Sequence, residues 1–162
     1  MAVDLFLKID GIAGESADAK HKGEIELESF SWGETQSEGA HGGGAGGGAG
    51  KVQVQDLHFV TRVNKASPTL MLACATGKHL KQAVLTARKA GKGQQEFLIF
   101  KFTDLLVSSY QTGGSARGDD DPVDQIAFNF ARIEMEYKSV NPDGSLGQSA
   151  KAGWDLKANQ PV

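Results

Sequence analysis

Residues 45–52 read AGGGAGKV, and a lysine set behind a run of glycines is how a phosphate-binding loop starts its grip. In G-x-x-x-x-G-K-[ST] the glycine amides wrap the phosphates, the lysine reaches the terminal ones, and the hydroxyl that follows holds magnesium. Gly50 and Lys51 fit that scheme, but Ala45 replaces the first glycine and Val52 replaces the hydroxyl. The context disagrees as well, because VQVQDLHFV after Lys51 carries β-branched residues at alternate positions and predicts a strand, where the loop needs a helix. Gly44, Gly46 and Ala49 reproduce a dinucleotide-loop spacing, yet it too requires a helix to follow. Seven of the nine residues from Gly42 to Gly50 are glycine, so such spacings arise by chance and the stretch reads as a long flexible loop.

The other reactive residue types fare no better. His21, His41, His58 and His79 stand at no metal-ligand spacing, and CATGKH at 74–79 lacks a second pair. Cys74 with His79 is the one thiol and imidazole pairing near in sequence, but Cys74 sits in an apolar stretch where a thiol is inert packing. GGSAR at 113–117 has Arg117 where a nucleophile elbow requires glycine. GDDDPVD and NPDGSLG lack the regular oxygen spacing of a calcium loop and read as solvated turns, the second built on Asp143 and Gly144. No catalytic, cofactor or metal site is expected, and the chain reads as a protein that is not an enzyme.

What, then, do these residues decorate? At 162 residues and 40% hydrophobic content the chain suits a single domain, 1–162, with an extended glycine-rich loop at about 33–51. A net charge of −3 with dispersed lysines and arginines offers no stripe for nucleic acid. Asp4 and Lys8 interrupt the opening MAVDLFLKID, so no signal-peptide core is read there, and no segment has the length for membrane insertion. The single cysteine suits synthesis in a reducing cytoplasm.

Alternation predicts strands at 3–9, 24–32, 52–63, 82–89, 96–110, 124–138 and around 153–157, with Phe6 an exception on the wet face of the first. Ser67 as N-cap, Pro68 in the first turn and Gly77 at the end predict one helix, with Leu70, Ala73, Cys74 and Gly77 on its packed stripe. Many strands and one helix make the expected fold mainly β, a β-barrel or sandwich with one flanking α-helix. The apolar alternation changes phase between Leu27 and Phe30, between Val54 and Leu57, and between Phe130 and Ile133. A β-bulge at a barrel corner would do this. So would strands whose halves serve different surfaces, one the subunit's own core and one a second subunit. On the second reading Phe30, Trp32, Leu57, Phe59, Ile133 and Met135 are candidate interface residues.

Seven short motifs, FSWG at 30–33, GKVQVQDL at 50–57, CATGKH at 74–79, LTARKAG at 85–91, VSSYQTGG at 107–114, NFARIEMEY at 129–137 and GW at 153–154, occur together and in order. In this the chain resembles the hemolysin-coregulated protein (Hcp) family of bacterial type VI secretion systems. The resemblance implies a β-barrel that assembles as a six-membered ring, with rings stacked into a hollow tube. It also implies a tip spike protein, a contractile sheath and effector proteins as partners, some effectors riding in the lumen, and export without a cleaved signal peptide. The glycine tract then becomes an extended loop for contact between rings, with Gly42, Gly46, Gly50, Ser115, Arg117, Asp119 and Asp120 as candidate stacking residues. Ser29 and Ser31 alternate with Phe30 and Trp32, which makes them candidates for a lumen or cargo surface. A small-ligand or carbohydrate-binding β-barrel with Trp32 and Trp154 at its site is the reading that competes, and the mass of the particle in solution separates the two.

Overall fold

The computed structural model describes residues 2–36, 51–91 and 93–162. In chain order the elements are β1 (Val3–Ile9), β2 (Ile25–Glu26), β3 (Ser29–Ser31), β4 (Glu34–Gln36), β5 (Val52–Val54), β6 (Leu57–Arg62), α1 (Ser67–Thr76), β7 (His79–Lys89), β8 (Glu96–Gly113), β9 (Val123–Val140), β10 (Leu146–Asp155) and β11 (Gln160–Pro161). A nine-stranded antiparallel sheet runs β11-β10-β9-β8-β7-β1-β2, and β6 joins the N-terminal half of β9 and carries β3. β4 and β5 form a separate two-stranded sheet that opens toward the glycine tract, whose residues 37–50 lie outside the described ones.

The strand expected at 24–32 is in fact two strands with different partners. β2 pairs with β1, and β3 pairs with β6. Between them the Leu27 N–H donates to the Leu5 carbonyl at 3.0 Å, and the Glu28 N–H donates to the Val60 carbonyl at 2.8 Å. The chain changes neighbours at the residues where the alternation jumps. No ladder joins β2 to β6, so the sheet is not closed and the expected barrel is corrected to an open, strongly curled sheet. The jump from Val54 to Leu57 has a similar cause, since the chain leaves the small sheet at β5 and enters the large one at β6.

The third jump is different. Along β9 the buried side chains run Ile126, Phe128, Phe130 and then Ile133, and along β8 they run Phe100, Phe102 and then Leu105, Val107. On β7 they run Leu80, then Ala83, Leu85 and Ala87. Leu80 faces Leu105, which faces Phe130, and Ala83 faces Phe102, which faces Ile133. Three adjacent strands therefore change face along one row, Lys81, Asp104 and Ala131, with no register shift there. Asp104 supplies the turn with φ at 57°. Aspartate tolerates that left-handed region better than most residues, and here its carboxylate also accepts from His79 Nδ1 at 2.9 Å and from Lys157 Nζ at 3.1 Å. Those two partners, His79 first, hold the Asp104 carboxyl below its ordinary value.

Phe6 is buried, which corrects its expected exposure. Residues 10–24 fold back over it, and the His21 ring stacks on it at 4.3 Å between centroids. Burying a Phe contributes about 1.5–3 kcal/mol, and the loop that covers it is held by charge. His21 Nδ1 lies 2.8 Å from Glu24 and Nε2 lies 2.7 Å from Glu96. The buried Arg88 guanidinium donates to Asp18 and Asp4 and sits 4.7 Å from the Phe6 ring centre. Hydrogen bonding from Arg88 brings the Asp18 carboxyl down to about 2.

α1 begins one residue earlier than the expected cap implied. Ser67 is its first residue, not its N-cap. Its hydroxyl accepts from the Asn64 N–H at 3.0 Å and donates to the fully buried Asp124, which also accepts from Tyr110. Burial, reinforced by the Asp124 carboxylate, raises the Tyr110 hydroxyl above its ordinary value and keeps it a donor. Gly77 ends the helix in the left-handed conformation and is exposed, so the packed stripe is Ser67, Leu70 and Ala73 with Cys74 half-buried.

Two outcomes follow. Asp104→Val should destabilise the subunit by about 1–2 kcal/mol in urea unfolding, because a β-branched residue resists the left-handed backbone, whereas Asp104→Gly should lose less. Equal losses would mean that the bend does not depend on that conformation. The depressed Asp18 carboxyl contributes stability that is complete above its ordinary value of 3.8 and is lost as pH falls through about 2. Acid unfolding of Asp18→Asn should lack that component, and an unchanged acid limb would contradict the assignment.

Candidate functional site: a polar sheet face and an apolar cleft

Strand alternation sends Ser29 and Ser31 to the opposite side of β3 from Phe30, and both serines are exposed. Register extends them into two rungs. Ser31 faces His58, His58 faces Ala127 and Ala127 faces Ser109; Ser29 faces Val60, Val60 faces Gln125 and Gln125 faces Gln111. These side chains line a shallow depression of about 350 Å³ in which no lysine, arginine, aspartate or glutamate takes part. Such a surface is wet, small in relief and rich in groups that both donate and accept. Sequence reading reached only its first strand. The members on β6, β8 and β9 come from 27 or more positions away and are brought in by register, which a single sequence does not display.

The apolar surface lies elsewhere. Beyond the Lys81–Asp104–Ala131 row, the core-facing side of β8, β9 and β10 carries Phe102, Ile133 and Trp154 in one rung and Phe100, Met135 and Ala152 in the next. The core covers the first members, but it ends before the strands do. Met135 is 40% exposed and Tyr137 is 45% exposed. A cleft of about 570 Å³ opens there, lined by Trp32, Val52, Ile133, Met135, Ala152 and Trp154, with Glu34 at its edge. Trp32 packs edge-on against Phe100 at 6.0 Å and Phe130 at 6.5 Å, so one side of the indole belongs to the core and the other to the cleft. The Trp154 indole N–H is buried without an acceptor among the described residues.

Of the residues singled out as interface candidates, Leu57, Phe59 and Ile133 are buried in this chain's own core at 0%, 1% and 4% exposure. The expected place of Leu57 and Phe59 on an intersubunit surface is corrected, because this chain already covers their side chains, whereas Ile133, though buried, lines the cleft. Phe30 and Trp32 are partly covered and Met135 is open. Ser115, Arg117, Asp119 and Asp120 are exposed in the connection between β8 and β9, while Gly42, Gly46 and Gly50 lie outside the described residues.

The residues that might have done chemistry are engaged otherwise. Cys74 is half-buried on α1, and the His79 ring is bonded to Asp104. His58 belongs to the polar face and His21 to the clasp over Phe6. Among the described residues no three His, Cys, Asp or Glu side chains stand together as a metal site, and no helix is long and apolar enough to cross a membrane.

Comparison with known proteins agrees with this division into structural surfaces. Residues 6–137 match the model of the family described as Type VI secretion system effector, Hcp. The chain is 47% identical to Protein hcp1 of Pseudomonas aeruginosa over 161 residues, which covers 98% of each chain. Among solved structures it is similar to Hcp1 from Salmonella typhimurium, with a TM-score of 0.81, 38% identity and all of both chains covered. It is also similar to a structure described as a type six secretion system protein, with a TM-score of 0.93, 31% identity, and coverage of 99% of this chain and 100% of that one. The competing reading, a ligand-binding barrel built on Trp32 and Trp154, finds no support among these relatives. The fold and these likenesses agree: the chain belongs to the Hcp family, the secreted, tube-forming subunits of type VI secretion systems, which are structural proteins and not enzymes.

Proposed function

We propose that six copies close into a ring, that rings stack into the tube, and that the face built from Ser29, Ser31, His58, Ser109, Gln111 and Gln125 lines its bore. The uncharged, low-relief polar face carries this reading. A wall of hydroxyls and amides holds varied proteins through exchangeable, water-assisted hydrogen bonds, whereas bulky apolar residues would hold them too tightly for release. The half-bare cleft with Trp32 and Met135 supplies the surface that a neighbouring copy covers in the ring. Phe30, two residues before Trp32, packs edge-on against Phe100.

On this reading the subunit is made in the bacterial cytoplasm and leaves the cell within the expelled tube. A contractile sheath surrounds the tube, a spike protein sits at its tip, and effector proteins travel inside. The glycine tract with Gly42, Gly46 and Gly50 and the exposed connection with Ser115, Arg117, Asp119 and Asp120 make contacts between rings. A long surface loop contributes little to the core, and a glycine-rich one permits close backbone approach to a neighbour.

Ser31→Gln should leave the ring intact by light scattering while lowering export of effectors carried in the bore. Unaltered export from an intact ring would remove the serine wall from the mechanism. Deleting Gly42–Gly48 should leave subunit unfolding unchanged but reduce the length of tubes seen by electron microscopy. Full-length tubes from the shortened chain would exclude the tract from stacking.

A further inference from the structure

The β8–β9 hairpin ends in a loop whose foot is fixed and whose tip is bare. Its ladder closes with Gly113 opposite Val123. Just beyond, Gly114 lies so close to Pro122 that a Cβ on it would stand 3.1 Å from the proline ring. The Pro122 carbonyl accepts from the Val63 N–H at 3.0 Å, and Asp121 pairs with Arg62 at 3.8 Å. The loop is thus gathered at its neck, while every residue from Ser115 to Asp121 is exposed and the chain turns at Ala116 and Arg117. A tip held this way has less conformational freedom to lose when something binds it.

That tip reads Arg117, Gly118, Asp119. Opposite charges stand on either side of a residue without a side chain, their Cα atoms at most about 7 Å apart. Arg62 takes Glu28 and Asp121 as partners, whereas among the described residues no ion pair or side-chain hydrogen bond holds Arg117 or Asp119. Nor do the carboxylates here gather a cation of their own, since no three such groups stand together as a metal site among the described residues. Gly118 is not required by this chain's own fold. It is absent from the glycines with positive φ, and a Cβ on it would meet only the Asp120 amide nitrogen, at 3.8 Å. What glycine supplies there is room for a partner to close on the backbone between the two charges. The guanidinium calls for a carboxylate on that partner, and the Asp119 carboxylate calls for a hard divalent cation with an open oxygen position.

We propose that the β8–β9 tip is a cell-attachment site, at which Arg117, Gly118 and Asp119 bind a cation-dependent adhesion receptor of an animal cell. The Asp119 carboxylate completes the oxygen shell of the receptor's divalent cation, and the Arg117 guanidinium pairs with a receptor carboxylate. Arg-Gly-Asp on an exposed, constrained hairpin tip is the arrangement such receptors read. The proposal goes beyond the tube reading and is compatible with it. The family is secreted, and a tip on the end ring of a tube, or on a ring outside one, has no further ring to cover it. Several tips on one particle would also bind a cell surface with greater avidity than a single tip.

Attachment of cultured fibroblasts to a surface coated with the purified protein tests it. Attachment should require Mg²⁺ or Mn²⁺, be lost in EDTA, and be blocked by free Gly-Arg-Gly-Asp-Ser peptide but not by Gly-Arg-Gly-Glu-Ser. Asp119→Glu keeps the charge and moves the carboxylate out by a methylene, and Gly118→Ala adds a methyl for which this chain has room. Each should weaken attachment by roughly tenfold or more, with urea unfolding verifying that the variant subunits remain folded. No attachment to the parent protein, or attachment that survives EDTA or either substitution, overturns the proposal. Ring and lone subunit carry the same tip, so that outcome leaves the ring reading untouched.

Discussion

The architecture depends on one row of the sheet, Lys81, Asp104 and Ala131, at which three neighbouring strands change their buried face together. A single bulge would shift register and disturb one pair of strands. A shared step keeps the same register on both sides of the row and still turns the sheet's inner surface. On one side of the row the inner face is Leu80, Leu105, Val107 and Phe130, closed by α1 through Leu70 and Ala73. On the other side it is Phe100, Phe102 and Ile133, closed in part by Phe30 and Trp32 and then not closed at all at Met135 and Tyr137. Tertiary structure and readiness for assembly are thus consequences of the same step. The left-handed backbone at Asp104 is held where it is by two donors from different parts of the chain, His79 Nδ1 and Lys157 Nζ.

Around this sheet the polar interior is organised as a set of anchors for loops. Arg88 with Asp18 and Asp4, and His21 with Glu24 and Glu96, bind the 10–24 loop across Phe6. Asp124 with Ser67 and Tyr110 binds the start of α1. These anchors specify where the loops lie, because removing one partner leaves the other's charge or polar group without compensation. No lysine, arginine, aspartate or glutamate lines the polar rungs, and Glu34 is the one such residue lining the cleft.

Much of this was legible in the residues. Alternation located β1 and the long strands β7, β8 and β9, Pro68 and Gly77 bracketed the helix, and the three phase changes marked real breaks in the pattern. Local sequence could not say what each break was, because a strand switch at Leu27–Glu28, a change of sheet at Gln55–Asp56 and a shared step at Asp104 produce the same skip of one residue. Nor could it foresee that Phe6 is covered, since His21 and Arg88 reach it from 15 and 82 positions away. The serines at 29 and 31 were visible as a pattern, whereas His58, Ser109, Gln111 and Gln125 join them only through pairing. Leu57, Phe59 and Ile133 read as interface because the sequence shows that a residue is apolar and not which body covers it.

In the proposed ring the cleft is covered by a neighbouring copy. The chain has two tryptophans, Trp32 and Trp154, and both line that cleft, so intrinsic fluorescence reports on it alone. Acrylamide quenching, followed with light scattering through a dilution series from assembled ring to the 17.1 kDa subunit, measures the cover directly. Weak quenching and blue-shifted emission are expected in the ring, with both lost as the mass falls. Quenching that stays constant while the ring dissociates would show that the cleft is no part of the assembly surface.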